Sequence, residues 1–459
     1  MGKKTTVYVC ANCGYASAKW LGKCPQCNEW GTFEEETAAV RKSDGGAAKR
    51  NAAAVETAVF DYADVSEDTN DRYRTSIGEF DRLLGGGLLK GEVILLTGNP
   101  GIGKSTLLLQ AAQEYGKIGP VLYISGEESP AQIKNRGARL GVTGKNLKLM
   151  NETDMGLISD YISRHKPVVV VVDSIQTVYD PELEASPGSP TQIRECALRI
   201  IDLAKKQGVS FFIVGHITKD GKVAGPKMLE HMVDAVFNFE GEEGLFYRIL
   251  RSTKNRFGST NEIAVFSMEE KGMREVKNAA EYFLSEREEK NIGSMVVPVL
   301  EGSRTFLLEV QSLVTDAVTG FPRRIVNGFD RNRIQILVAV ADKMLELGLV
   351  MSDLFLNIPG GIEIRDPAAD LGVVISLLSR CRGVAISQKI AAVGELGLRG
   401  EVRKAFFLDK RLRELEKLGF TGVYVPEANR KEIEKNTYKL RLIYLKNIEA
   451  LLEGIKKDD

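Results

Sequence analysis

Residues 98–105, Gly98-Asn99-Pro100-Gly101-Ile102-Gly103-Lys104-Ser105, fit the pattern G-x-x-x-x-G-K-S/T. Glycines at this spacing let successive backbone N–H groups curl around a phosphate. The N-terminus of a following helix adds favourable partial charge. A lysine at position 104 can neutralise β/γ oxygens, and the Ser105 hydroxyl can ligate Mg2+, with Thr106 next to it. The chemistry indicated is binding of ATP with Mg2+ by residues 98–106. Asp173, which ends the apolar run Val168–Val172, is the expected carboxylate behind that Mg2+. Glu127 and Glu128 follow a second apolar run, Val121–Ser125. A carboxylate at the tip of the strand beside the phosphate loop can polarise an attacking water. Glu127 is favoured as that base, with Glu128 close behind. Lys254 and Arg256 stand at i and i+2 after an expected strand Phe246–Arg251, so on an extended segment they point the same way. They are expected to reach a γ-phosphate, that of a neighbouring subunit, as cationic fingers.

A second chemistry sits at the start of the chain. Cys10-Ala11-Asn12-Cys13 and Cys24-Pro25-Gln26-Cys27 are two CxxC pairs separated by ten residues. Four thiolates so spaced complete a tetrahedral shell on Zn2+. A module of about 33 residues has too little core to fold alone, so metal binding would supply the missing free energy. Cys196 and Cys381 are isolated and read as core residues.

These groups need a scaffold. Short apolar strands (92–97, 120–125, 167–173, 210–215) alternate with helices (104–115, 192–207), which implies a parallel sheet covered on both faces. The expected organisation is a C4 zinc finger at 1–33, a flexible Ala-rich charged linker at 34–58, an α/β ATPase domain at 59–280 and a second α/β domain at 281–459. The last contains expected helices at 330–347 and 409–418.

Composition narrows the function classes. The 459 residues carry 62 Lys+Arg against 62 Asp+Glu and are 43% apolar. That balance excludes a globally basic nucleic-acid coat, so any contact to nucleic acid would have to come from local patches. No apolar run approaches the roughly 20 residues of a membrane span. Six cysteines in so long a chain do not make a disulfide scaffold. The expectation is a cytoplasmic protein with no membrane contact.

The strand–loop–helix context and the Glu127–Glu128 pair fit the RecA-like class of P-loop ATPases. More specifically, the chain resembles the bacterial RadA (Sms) family of recombination and repair ATPases over nearly its whole length. The segments that carry the resemblance are the C4 module, Ser76-Ile77-Gly78 to Gly85-Gly86-Gly87, Ser125-Gly126-Glu127-Glu128-Ser129, Asp173-Ser174-Ile175-Gln176-Thr177 and Lys254-Asn255-Arg256-Phe257-Gly258. The resemblance implies a homo-hexameric ring that binds single-stranded and branched DNA, hydrolyses ATP and acts with RecA in branch migration. In such motors two loops face DNA. Here these are Asp180–Gln192 and His216–Lys227, the latter with Lys219, Lys222 and Lys227 among glycines. His216 is the candidate sensor of the γ-phosphate.

The C-terminal block resembles the Lon protease domain, through Asp366-Pro367-Ala368-Ala369-Asp370-Leu371-Gly372 and Gly394–Val402. Where Lon-type proteases place a serine nucleophile this chain offers Ala369 or Asp370. Where they place a lysine base it offers Asp409, with Lys410 one residue out of register. Without the hydroxyl there is no acyl-enzyme, so the domain is expected to be proteolytically inactive. Its basic residues, Arg323, Arg324, Arg331 and Arg333, then Arg399, Arg403, Lys404, Lys410, Arg411 and Arg413, are candidates for a DNA-facing surface.

Overall fold

Strands that are apolar at every position must be covered on both faces. The computed structural model shows this for the first half of the chain. It describes residues 4–10, 15–25, 29–39, 61, 72–216, 226–241, 247–260, 262–276, 284, 290–302, 304–317, 322–359 and 363–454. The chain divides into two units, one of Met1–Glu240 with Arg248–Glu275, the other of Gly241–Tyr247 with Val276–Asp459.

The first unit opens with three antiparallel strands, β1 (Lys4–Cys10), β2 (Ala16–Ser17) and β3 (Phe33–Ala39), in the order β2-β1-β3. Residues 34–39, expected in the linker, are therefore strand. Every residue from Lys4 to Cys10 pairs with one from Ala39 back to Phe33, so a backbone ladder extends the module where side-chain periodicity gave no signal. The rest of the expected linker lies outside the described residues. A short antiparallel pair, β4 (Arg72–Tyr73) and β5 (Leu88–Leu89), brackets helix α1 (Gly78–Leu83).

The nine-stranded sheet that follows comprises β6 (Val93–Thr97), β7 (Val121–Ser125), β8 (Leu147–Met150), β9 (Val169–Asp173), β10 (Ser210–Val214), β11 (Ala235–Glu240), β12 (Tyr247–Asn255), β13 (Ile263–Glu269) and β14 (Gly272–Glu275). Their order is β14-β13-β12-β11-β6-β10-β9-β7-β8. The run from β11 to β8 is parallel, while β11–β12 and β13–β14 are antiparallel. The sequence alternation pointed only to the parallel part. Two residues separate β13 from β14, and so short a link can join only antiparallel strands.

Alternate residues of each central strand enter different cores. Ile94, Leu96, Val169, Val171, Phe212 and Val214 pack with Leu107, Leu108 and Ala111 of helix α2 (Lys104–Tyr115). Val93, Leu95, Val170, Val172, Phe211 and Ile213 pack on the other face. There they meet Ile158 and Ile162 of α4 (Met155–His165) and Ile193, Cys196 and Ile200 of α5 (Pro190–Gln207). Each fully buried aliphatic side chain contributes about 1.5–3 kcal/mol. Helix α5 starts at Pro190, earlier than expected. The Ser189 side chain caps it by accepting from the Gln192 N–H, with proline at the first helical position. Ser129 and Gln132 close a reciprocal capping box on α3 (Pro130–Arg139).

The second unit is built on a seven-stranded mixed sheet. Its strands run in the order Arg324–Asn327, Ser352–Asn357, Arg304–Asp316, Ser294–Glu301, Ile390–Ala392, Gly422–Pro426, Arg441–Leu445. Helices Arg331–Leu345, Asp370–Arg382 and Leu408–Lys417 belong to the same unit. No helix of the described residues is long and apolar enough to cross a membrane.

Candidate active site

The phosphate loop joins the end of β6 to α2. Gly98 sits at φ 145°, and a Cβ there would come within 2.8 Å of Phe239 Cβ, so the turn admits only glycine. Arg248 Nε donates to the Ile102 carbonyl and braces the loop from β12. Lys104 opens α2, with Ser105 and Thr106 next in its first turn. The Lys104 ammonium donates to the Gly98 carbonyl at 2.7 Å and the Asn99 carbonyl at 3.0 Å, and the residue is 3% exposed. Burial pulls its pKa down to about 8, while the carboxylates of Asp173 and Glu127 oppose the shift. One ammonium thus lies in the field of both acidic residues that sequence reasoning singled out. Asp173 ends β9 beside Ser125 of β7 and accepts a 2.6 Å hydrogen bond from the Tyr123 hydroxyl. Sequence reasoning missed Tyr123. Burial and the adjacent Asp173 hold that phenol well above its usual pKa, so it remains a donor.

The two adjacent glutamates have different surroundings. Glu128 Oε1 forms a 2.7 Å ion pair with Arg136 of α3, and its N–H donates to Ser125 Oγ. Glu127 Oε1 accepts a 2.7 Å hydrogen bond from Ser174 Oγ, and His216 Nε2 approaches the same oxygen at 3.4 Å. Glu127 acts electrostatically on Lys104, and among the described residues no lysine or arginine forms an ion pair with it. It is the better placed of the two to take a proton from water. Ser174 was quoted only as part of a motif. Its proximity to Glu127 spans 47 residues and left no local sequence signal.

Lys254 lies within β12 rather than after it, because the β11 ladder continues through Lys254 and Asn255. As expected from i, i+2 spacing, Lys254 and Arg256 turn to one place. Lys254 Nζ donates to the carbonyls of Glu230, His231 and Val233, around the end of α6 (Pro226–Met232). Burial and the nearby Arg256 lower its pKa from the ordinary value. Arg256 is half exposed and lies 3.4 Å from Asp234 Oδ1. Asp234 in turn accepts from the Val93 N–H and from Lys205. Asn255, given no individual role by the sequence, ties the turn to the Leu83 carbonyl and the Phe257 N–H. Val93 starts β6 and Gly98 follows its end, so these cations stand at the opposite edge of the sheet from their own phosphate loop. The separation along the strand is roughly 16 Å.

Of the remaining candidates, Lys219 and Lys222 lie outside the described residues, as do Cys13 and Cys27. Lys227 is exposed on α6. The 180–192 loop is closed on itself: the Gln192 amide bonds the backbone of Asp180, Leu183 and Ala185, and Arg199 pairs with Asp180 at 2.6 Å. Cys10 and Cys24 are fully buried beside Phe33, Tyr8 and Leu21. The Cys10 N–H donates to the Tyr15 carbonyl and the Cys24 N–H to that of Glu29, five residues on in each case. Two buried sulfurs with this matching backbone bond fit a thiolate-bound metal.

In the second unit many expected surface cations are structural. Arg323 forms bonds to both Asp353 oxygens, and Arg324 donates to the carbonyls of Ser352, Leu349 and Val350. Two members of the proposed basic surface are withdrawn from it. Arg411 is buried, paired with Asp366 at 2.5 Å and bonded to the Pro298 carbonyl, and Arg333 pairs with Asp370, which is 0% exposed. Desolvation forces such internal charges into pairs. Burial raises the Asp370 pKa, whereas the Tyr438 hydroxyl and Arg413 hold that of Asp409 below the usual range.

Three family descriptions match separate stretches: a rubredoxin metal binding domain at residues 8–35, an AAA domain at 61–222, and the Lon protease (S16) C-terminal proteolytic domain at 343–455. The architecture is accordingly an N-terminal zinc-ribbon-type module, a RecA-like P-loop core and a Lon-type C-terminal domain. Among solved structures, the KaiC-like protein PH0186 of Pyrococcus horikoshii aligns at 21% identity, with a TM-score of 0.38, over 45% of this chain and 98% of its own. The DNA repair protein RadA of Bacillus subtilis is 45% identical over 432 residues, covering 94% of each chain. That of Listeria monocytogenes is 42% identical over 99% of this chain and 98% of its own. With the phosphate loop, the glutamate pair and both flanking domains covered at such identity, the chain belongs to the RadA family of DNA repair proteins.

Proposed function

We propose that the chain is a DNA-stimulated ATPase that drives branch migration of recombination intermediates together with RecA, working as a cytoplasmic hexameric ring. The observation that carries this reading is the split of charged groups between the two edges of one sheet. Lys104, Asp173 and Glu127 gather at the phosphate-loop edge, and Lys254 and Arg256 stand at the other. A head-to-tail ring juxtaposes opposite edges of neighbours. Each pair of cations then completes the site of the next subunit.

In that site the loop N–H groups and Lys104 hold the β- and γ-phosphates of ATP. Glu127 accepts a proton from water as its oxygen bonds the γ-phosphorus. The bond to the β-phosphate oxygen breaks, releasing ADP and phosphate, while Lys254 and Arg256 offset the charge developing in the transition state. Ser105 and Asp173 would hold Mg2+, which supplies charge neutralisation between the two phosphates. The thiolates of Cys10, Cys13, Cys24 and Cys27 would hold a structural Zn2+. Lys219, Lys222 and Lys227 would contact DNA phosphates. Arg323 and Arg324 would add to that contact from the second unit through the donors their internal bonds leave over. The Lon-type domain serves as scaffold without proteolysis, since Ala369 or Asp370 stands where Lon-type proteases place the serine nucleophile.

The test is ATP hydrolysis by the purified protein with and without single-stranded DNA at two salt concentrations. Stimulation that falls with salt is expected from phosphate contacts. Hydrolysis indifferent to DNA would overturn the motor assignment.

A further inference from the structure

We propose that Ser174 is a positioning residue for hydrolysis: its hydroxyl fixes one oxygen of Glu127 so that the other faces the attacking water. This rests on the reading of Glu127 as the base.

Ser174 is 0% exposed, and its Oγ donates to Glu127 Oε1 at 2.7 Å. Its own backbone is pinned. The Ser174 carbonyl accepts from Thr177 Oγ1 at 2.8 Å and from the Thr177 N–H at 3.2 Å, and the next N–H, of Ile175, donates to the Val214 carbonyl. The partner strand is tight as well. A Cβ on Gly126 would lie 2.7 Å from both Thr153 Cγ2 and Thr177 Cβ, so glycine is what lets the Glu127 backbone pass this close to the Ser174 turn. A rigid donor therefore meets a side chain that is half exposed.

The nature of the donor matters. Arg136 orients Glu128 through an ion pair, which also neutralises it. A serine hydroxyl orients Glu127 without setting an opposite charge against it. His216 Nε2 crowds the same Oε1 at 3.4 Å, and among the described residues neither of its ring nitrogens makes a hydrogen bond. Both neighbours meet Oε1, and no hydrogen bond to Oε2 is found among the described residues, so Oε2 is the oxygen assigned to the water.

The test measures kcat and KM for ATP, and ADP affinity, on the full-length protein with saturating single-stranded DNA. Ser174→Ala is expected to lower kcat by about 10–100-fold, the scale of a misplaced reacting group, with KM and ADP affinity within about twofold. Ser174→Cys, close in volume but a poor donor, should give the same loss and covers the case in which alanine impairs folding. Because Ser174 acts through Glu127, adding Ser174→Ala to Glu127→Gln should change single-turnover hydrolysis by less than about twofold. Wild-type kcat in both Ser174 variants would overturn the proposal, as would a full additional loss in the double variant. If Glu127→Gln itself hydrolysed ATP at the wild-type rate, the base assignment would fail whatever Ser174 does.

Discussion

The two large units treat their charged residues differently. In the second unit the carboxylates and guanidiniums where a hydrolytic site would lie are matched internally: Arg411 with Asp366, Arg333 with Asp370, Arg413 with Asp409. In the first unit Lys104 bonds only carbonyls, Asp173 meets a tyrosine hydroxyl, and Glu127 meets a serine and a histidine. Groups satisfied by neutral partners keep their charge available for a ligand. Buried pairs such as Arg411 with Asp366 are scaffold, whereas Arg256 is half exposed and meets Asp234 only at 3.4 Å. The same criterion separates Glu127 from Glu128 one residue away.

That contrast is sharpened most by variants of the two sheet edges. Lys104→Ala and Arg256→Ala should each reduce hydrolysis by about 10³-fold or more. Only Lys104→Ala should also lose ATP affinity, because a finger acts mainly in the transition state. Equal loss of ATP binding in equilibrium titrations of both variants would break the distinction. Next in size is the glutamate pair. Glu127→Gln should cost about 10²–10⁴ in kcat and Glu128→Gln less than about tenfold, with the reverse order showing that ion pairing does not mark the idle carboxylate.

In the second unit Asp366→Asn strands the buried Arg411 charge and should destabilise that unit by about 3–5 kcal/mol. The ATPase rate below its melting point should be unchanged, and calorimetry with a rate assay checks both. The smallest effect concerns Glu92, a buried carboxyl whose pKa burial raises to about 7. Its charged form is disfavoured in the fold. The stability it contributes is therefore fully present below about pH 4.5 and is lost as pH rises through about 7. Glu92→Gln should remove that slope in denaturant titrations across the same window.

What the sequence disclosed follows from the range of the interactions. The phosphate loop is contiguous, and strands β6, β7, β9 and β10 are short runs apolar on both faces, so each was legible locally. Strands β13 and β14 lacked a strong turn signal, and β3 is recruited by backbone pairing with β1. The side-chain partners that distinguish the two regions are remote in sequence: Arg411 and Asp366 lie 45 residues apart, Ser174 and Glu127 47. Composition could count the cations of the second unit, but only the fold shows that Arg411 and Arg333 are matched internally.

In the proposed ring the phosphate loop and the fingers come from different subunits. Mixing Lys104→Ala with Arg256→Ala protein tests it most directly, by ATP hydrolysis in the presence of single-stranded DNA. In a randomly mixed head-to-tail ring about a quarter of the interfaces carry both an intact loop and an intact finger. The mixture is expected to regain activity far above either variant alone. A mixture as inactive as its components, under conditions where subunit exchange is demonstrated, would contradict it.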